Sequence, residues 1–141
     1  MSLFEGREAK KRKSHFKNLV ALSAIDGAIY ESEKKFLFIL GLKWKLSEKE
    51  VKDVISNPKK IDFTPPKNSM ERFSQLFDLV SMMVVDGYID RREMDFCMTI
   101  ATKLGFRPTI VPELLDKIVN AIRASVTEAR LKNEIADFLR D

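Results

Sequence analysis

A chain of 141 residues with one cysteine, five glycines, five prolines, 45% hydrophobic and 33% charged residues is long enough to bury a core without staples. That composition excludes a disulfide scaffold, a turn-rich β architecture and a largely disordered chain. The net charge of +4 is local: residues 1–17 hold six bases (Arg7, Lys10, Lys11, Arg12, Lys13, Lys17) against Glu5 and Glu8, and the remainder balances at nineteen of each sign.

Residues 1–14 read as a basic arm or helix start, ahead of one helical domain over 15–141. From Glu8 to about Ile25, Phe16, Leu19, Val20, Ser23 and Ala24 keep the spacing of one helix face, and Gly27 is the stop. A second helix is expected over 32–45, where Phe36 to Leu40 is apolar on every side and predicts a buried central helix. Ser47 with Glu50 is a capping box for a short third helix that Asn57-Pro58 ends. Residues 58–68 form the one long loop, kept extended by Pro65-Pro66. Asn68 with Glu71 opens a helix carrying Phe73, Leu76, Phe77, Val80, Met83 and Val84 to the Asp86-Gly87 turn. Asp90 with Glu93 opens the next, which runs to Leu104 with Gly105 just past its end. Val111, Leu114, Leu115, Ile118, Val119 and Ile122 mark a sixth helix. Ser125 with Glu128 is the expected start of a seventh, with Leu131, Ile135, Phe138 and Leu139 inward. No segment alternates with period two, so the predicted class is all-α, a single-domain bundle of about seven helices.

Shifting the chain by 60 residues lays Leu19–Leu46 on Leu79–Phe106 with eight of 28 positions identical: Leu19/Leu79, Val20/Val80, Asp26/Asp86, Gly27/Gly87, Ile29/Ile89, Glu33/Glu93, Phe36/Phe96 and Lys43/Lys103. Unrelated segments would share roughly two at average residue usage, so the pattern reads as a duplicated helix–Asp-Gly turn–helix hairpin. Two such hairpins are expected to pack face to face with pseudo-two-fold symmetry. The string D-G-x-I-x-x-x-E also matches the back half of an EF-hand loop. Its front ligand positions, however, would be Leu22 and Ala24 in one copy and Met82 and Val84 in the other, none of which has a side-chain oxygen.

Two helices ending in Ala24-Ile25-Asp26-Gly27 and Val84-Val85-Asp86-Gly87, each followed by an early glutamate (Glu33, Glu93), together with Ile100-Ala101-Thr102-Lys103-Leu104-Gly105-Phe106, resemble the TerB-like, tellurite-resistance family over about residues 15–120. The resemblance implies a helical, cytoplasmic, non-enzymatic protein linked to tellurite resistance and stress, with acidic positions that bind a divalent metal. Ile25 and Tyr30 depart from that family, where small or acidic residues are common.

The acids have two readings. Asp26 and Asp86 at helix ends and Glu33 and Glu93 at helix starts fit plain capping and dipole roles. The sharper reading gathers Asp26, Glu33, Asp86 and Glu93, with Asp90 outside them, around a divalent cation such as calcium, magnesium or manganese. Paired His or Cys at zinc spacing is absent. His15 reads as a solvated histidine, Cys97 as a buried thiol, Trp44 and Tyr88 as packing and turn residues, and Met82, Met83, Met94 and Met98 chiefly as core filling. No phosphate loop, nucleophile elbow, Cys–His pair or HExxH occurs, so no enzyme is expected. Two rivals to a metal-dependent module are a helical protein-interaction module with structural acids, and a nucleic-acid or anionic-surface binder using Lys10-Lys11-Arg12-Lys13. The neutral body and the lack of interleaved aromatics weigh against the latter. The longest apolar runs, at 36–42 and 79–85, fall far short of the ~20 residues of a spanning helix, and the first residues lack a secretory signal's apolar core. A cytoplasmic protein without membrane insertion is therefore expected.

Overall fold

The computed structural model describes residues 3–27, 29–84 and 89–139, with the side chains of residues 3–5 left aside. Asp86, Gly87 and Tyr88, and with them the second Asp-Gly turn, lie outside the described residues. Seven α-helices and one 3-10 turn make up the regular structure, and no strand occurs among the described residues. The fold class is all-α. The chain divides into two compact units, residues 1–65 and 66–141.

The first unit holds α1 (Leu3–Ser23), α2 (Glu31–Lys43), α3 (Glu48–Ser56) and the 3-10 turn Pro58–Lys60. The basic stretch is therefore helix, continuous with the rest of α1. α1 packs against α2, α3 and the 3-10 turn, burying Phe16, Leu19, Val20 and Leu22. Ser23 is buried too, and its hydroxyl donates to the Leu19 carbonyl at 3.0 Å, so the polar atom is satisfied inside the helix. The chain then turns at Gly27, whose φ of 98° suits a residue without Cβ. Phe16 meets Trp44 edge to face, ring centroids 6.3 Å apart. A Cβ added at Gly41 would stand 2.6 Å from Val51 Cγ2 and 3.0 Å from the Phe16 ring, so this glycine sets how closely α2 approaches α3 and α1.

α2 is less buried than the largely buried central helix its apolar run leads one to expect. Leu37 and Leu40 are buried, but Ile39 is 51% exposed and Leu42 41%. Hydropathy around the helix reports which residues tolerate burial, while the number of packing partners decides which are buried. Within its unit α2 meets α1 and α3.

The second unit holds α4 (Ser69–Met83), α5 (Arg91–Lys103), α6 (Val111–Arg123) and α7 (Glu128–Glu134). α4 is its hub, in contact with α5, α6 and α7, and α5 also meets α6. Phe73, Leu76, Val80 and Met83 of α4, Phe96, Cys97 and Ile100 of α5, and Leu114, Leu115 and Ile118 of α6 are buried. Leu131, Ile135 and Leu139 turn inward as their spacing predicts, whereas Phe138 is half-buried under Lys117, whose Nζ lies 5.7 Å from its ring.

Helix ends follow local rules closely. Ser47 accepts the Glu50 N–H at 3.1 Å while Glu50 accepts the Ser47 N–H at 3.3 Å. The Ser47 hydroxyl and then the Ser47 N–H, assisted by Lys13, hold the Glu50 carboxyl below its ordinary value of 4.5. A lowered folded value places the contribution of this cap above pH 4.5, with loss as pH falls through the lowered value. Asn68 accepts the Glu71 N–H at 2.9 Å. The seventh helix is a correction: its N-cap is Thr127, which accepts the Arg130 N–H at 3.1 Å. Ser125 instead takes φ 59° and closes α6, with the Val126 N–H bonding the Ala121 carbonyl at 2.8 Å. The same closure ends α2, at Lys45 (φ 66°), and α5, at Gly105 (φ 104°).

Candidate functional site

α2 and α5 are both 13 residues long, and each places a glutamate at its third position. Glu33 is 8% exposed and Glu93 4%, so both lean inward as their helical stripes predict. Each carboxylate reaches back to a backbone donor: Glu33 accepts the Tyr30 N–H at 3.2 Å, and Glu93 the Asp90 N–H at 3.3 Å. Asp90 completes the second box by accepting the Glu93 N–H at 2.8 Å. Three of the five candidate ligands therefore take part in starting helices, where an acid also complements the helix dipole. Asp26 lies exposed in the turn between α1 and α2. Among the described residues no group of three or more His, Cys, Asp or Glu side chains stands close enough to hold a metal ion. Asp86, the partner required by the four-carboxylate arrangement, lies outside them.

The two starts differ at the N-cap residue. Asp90 caps α5 through its side chain, whereas the N-cap of α2 is Tyr30, 66% exposed and a residue type not favoured at that position. Asp90→Ala should cost about 1 kcal/mol and Tyr30→Asp should gain a similar amount, both read from urea midpoints. Opposite signs at these two positions are expected. A loss on Tyr30→Asp would show that the tyrosine ring is worth more than a cap.

Cys97 is fully buried. Burial, with the neighbouring Glu93 charge adding to it, pushes its thiol far above the ordinary range. The native protein should consequently resist thiol reagents at pH 8 and label fast only when unfolded. Immediate native labelling would contradict that burial. His15 is half-exposed.

One surface feature carried no motif. Between α2 and α3 an open groove of about 430 Å³ is lined by Lys34, Lys35, Phe38, Ile39, Lys52, Ile55 and Ser56. Its floor is apolar, since Phe38 and Ile55 are half-buried and Ile39 is exposed. Lys52 Nζ lies 6.0 Å from the Phe38 ring centre. Lys52 also pairs with Glu48 at 2.7 Å, and Lys34 with Glu31 at 3.4 Å. The lysine contact holds Glu48 below its ordinary carboxylate range. The signal in sequence was the Phe36–Leu42 run itself, which holds more apolar surface than one helix face can bury.

No helix among the described residues is long and apolar enough to cross a membrane. No family model, no curated protein and no solved structure matches the chain.

Proposed function

We propose that this chain is a non-enzymatic helical binding module of the TerB-like kind, built on a duplicated hairpin, that works by engaging another protein through the α2–α3 groove. The observation that carries this reading is the apolar face of α2, which continues across Ile55 of α3 as an open groove. Concave apolar surface rimmed by polar groups suits a helix-in-groove partner. Asp90, Glu33 and Glu93 then serve the helix starts they are bonded to. The duplication is supported by the equal lengths of α2 and α5, their matching third-position glutamates and their matching C-terminal closures. Tellurite resistance and stress are roles that the resemblance alone supplies.

The test is to pan a library of helix-biased peptides on the wild-type chain and re-measure the binders on Ile39→Glu. Binders that lose at least about tenfold on Ile39→Glu are expected, since buried charge at an interface anchor is strongly unfavourable. A panel in which no binder depends on Ile39 would remove the groove from the account.

A second reading keeps the divalent cation that the resemblance implies, with Asp26, Glu33, Asp86, Glu93 and Asp90 as its candidate ligands. Thermal unfolding with and without divalent cations separates the two readings.

A further inference from the structure

The groove also carries a charge pattern, and its lining contains three lysines, Lys34, Lys35 and Lys52, and no acid. Residues 18–65, which bear it, hold eight Lys and Arg against seven Asp and Glu, so the positive charge belongs to the groove's own rim. We infer that the occupant is an acidic amphipathic helix of a partner protein, its apolar stripe on Phe38, Ile39 and Ile55 and its flanking carboxylates on Lys34, Lys35 and Lys52. The inference rests on the reading of the groove as a protein-docking site and names the chemistry of the partner.

The geometry favours a helix over smaller or flatter occupants. A small apolar ligand in an open groove keeps much of its surface in water, whereas a helix about 10 Å across covers the floor and brings its own polar face outward. A flat anionic membrane would meet Glu31 and Glu48 together with the lysines they pair with. For an acidic helix the same ion pairs are exchangeable: both are solvent-exposed, Lys34 and Lys52 being 42% and 62% accessible, and exposed pairs hold weakly. Partner carboxylates can replace Glu31 and Glu48 while the lysine stems, with Lys52 already beside Phe38, cover the apolar stripe.

Two fluorescent 16-residue helical peptides test this, sharing one leucine stripe at i, i+3, i+4 and i+7 spacing and differing only in flanks of Glu or of Lys. Anisotropy should show the Glu peptide binding wild type at least about tenfold tighter than the Lys peptide at low salt, with the gap narrowing as salt rises. On the Lys34→Glu/Lys35→Glu/Lys52→Glu variant, first checked for unchanged helical circular dichroism, the preference should reverse. Equal binding of both peptides, or the same order on the variant, overturns the inference. So does co-sedimentation with phosphatidylserine vesicles in place of peptide binding, or an Ile39-dependent dimer in sedimentation. Library binders that need Ile39 but carry no excess acid would sink the acidic partner and leave the docking reading standing, whereas the absence of any Ile39-dependent binder sinks both.

Discussion

Phe16→Ala is expected to lower the unfolding free energy by about 3–5 kcal/mol. The ring is fully buried, stands edge-on to Trp44 and lies against the bare Cα of Gly41. Truncation removes the apolar area and the edge-to-face contact together, and leaves a cavity that neighbours have little room to fill. Trp44 cannot swing in without breaking the closure at Lys45 and Leu46, where two backbone bonds hold the end of α2. Denaturant unfolding followed by tryptophan fluorescence reads this directly, because Trp44 is the sole tryptophan. A loss below about 1 kcal/mol would mean that α1 is not a principal packing partner of α2.

Gly41→Ala sets two effects against each other. Alanine is the better helix former by about 1 kcal/mol. Its methyl, however, would lie 2.6 Å from Val51 Cγ2 and 3.0 Å from the Phe16 ring. Val51 is fully buried and β-branched, so its methyl is not a yielding chain end. Overpacking of this kind costs about 1–3 kcal/mol, and the net result should be destabilising by up to about 2 kcal/mol after the propensity gain is counted. The double variant Gly41→Ala/Val51→Ala should recover part of that loss, a non-additivity expected of directly touching residues. A stabilised Gly41→Ala would show that α2 and α3 are free to move apart.

Helix starts were the most legible part of this chain, because a cap is decided within four residues. Ser47 with Glu50, Asn68 with Glu71 and Asp90 with Glu93 form the bonds their spacing predicts. The same rule misplaced the start of α7, where Ser125 and Thr127 both offer a hydroxyl. The choice fell to Thr127 because the chain needs a left-handed residue at position 125 to close α6. The inward lean of Glu33 and Glu93 was legible from the stripe each shares with Phe36 or Phe96. The groove was not, because an apolar run reads as core until it is known which helices pack on it. Ile39 and Leu42 have the hydropathy of core residues and yet stand exposed. For the acids, spacing alone left capping and metal binding open. The bonds at Glu33, Asp90 and Glu93 support capping, while Asp86 lies outside the described residues.

The claim on which the account turns is that these acids are used in helix starts and the groove does the binding. Thermal unfolding in EDTA, and again with 1 mM calcium, magnesium or manganese, tests it most directly. A cation held about 100-fold below its working concentration would add ~2.7 kcal/mol and raise Tm by roughly 5–10 °C for a chain of this size. Superimposable curves are expected. A rise of that size, present in wild type and abolished by Glu33→Gln/Glu93→Gln, would contradict that claim.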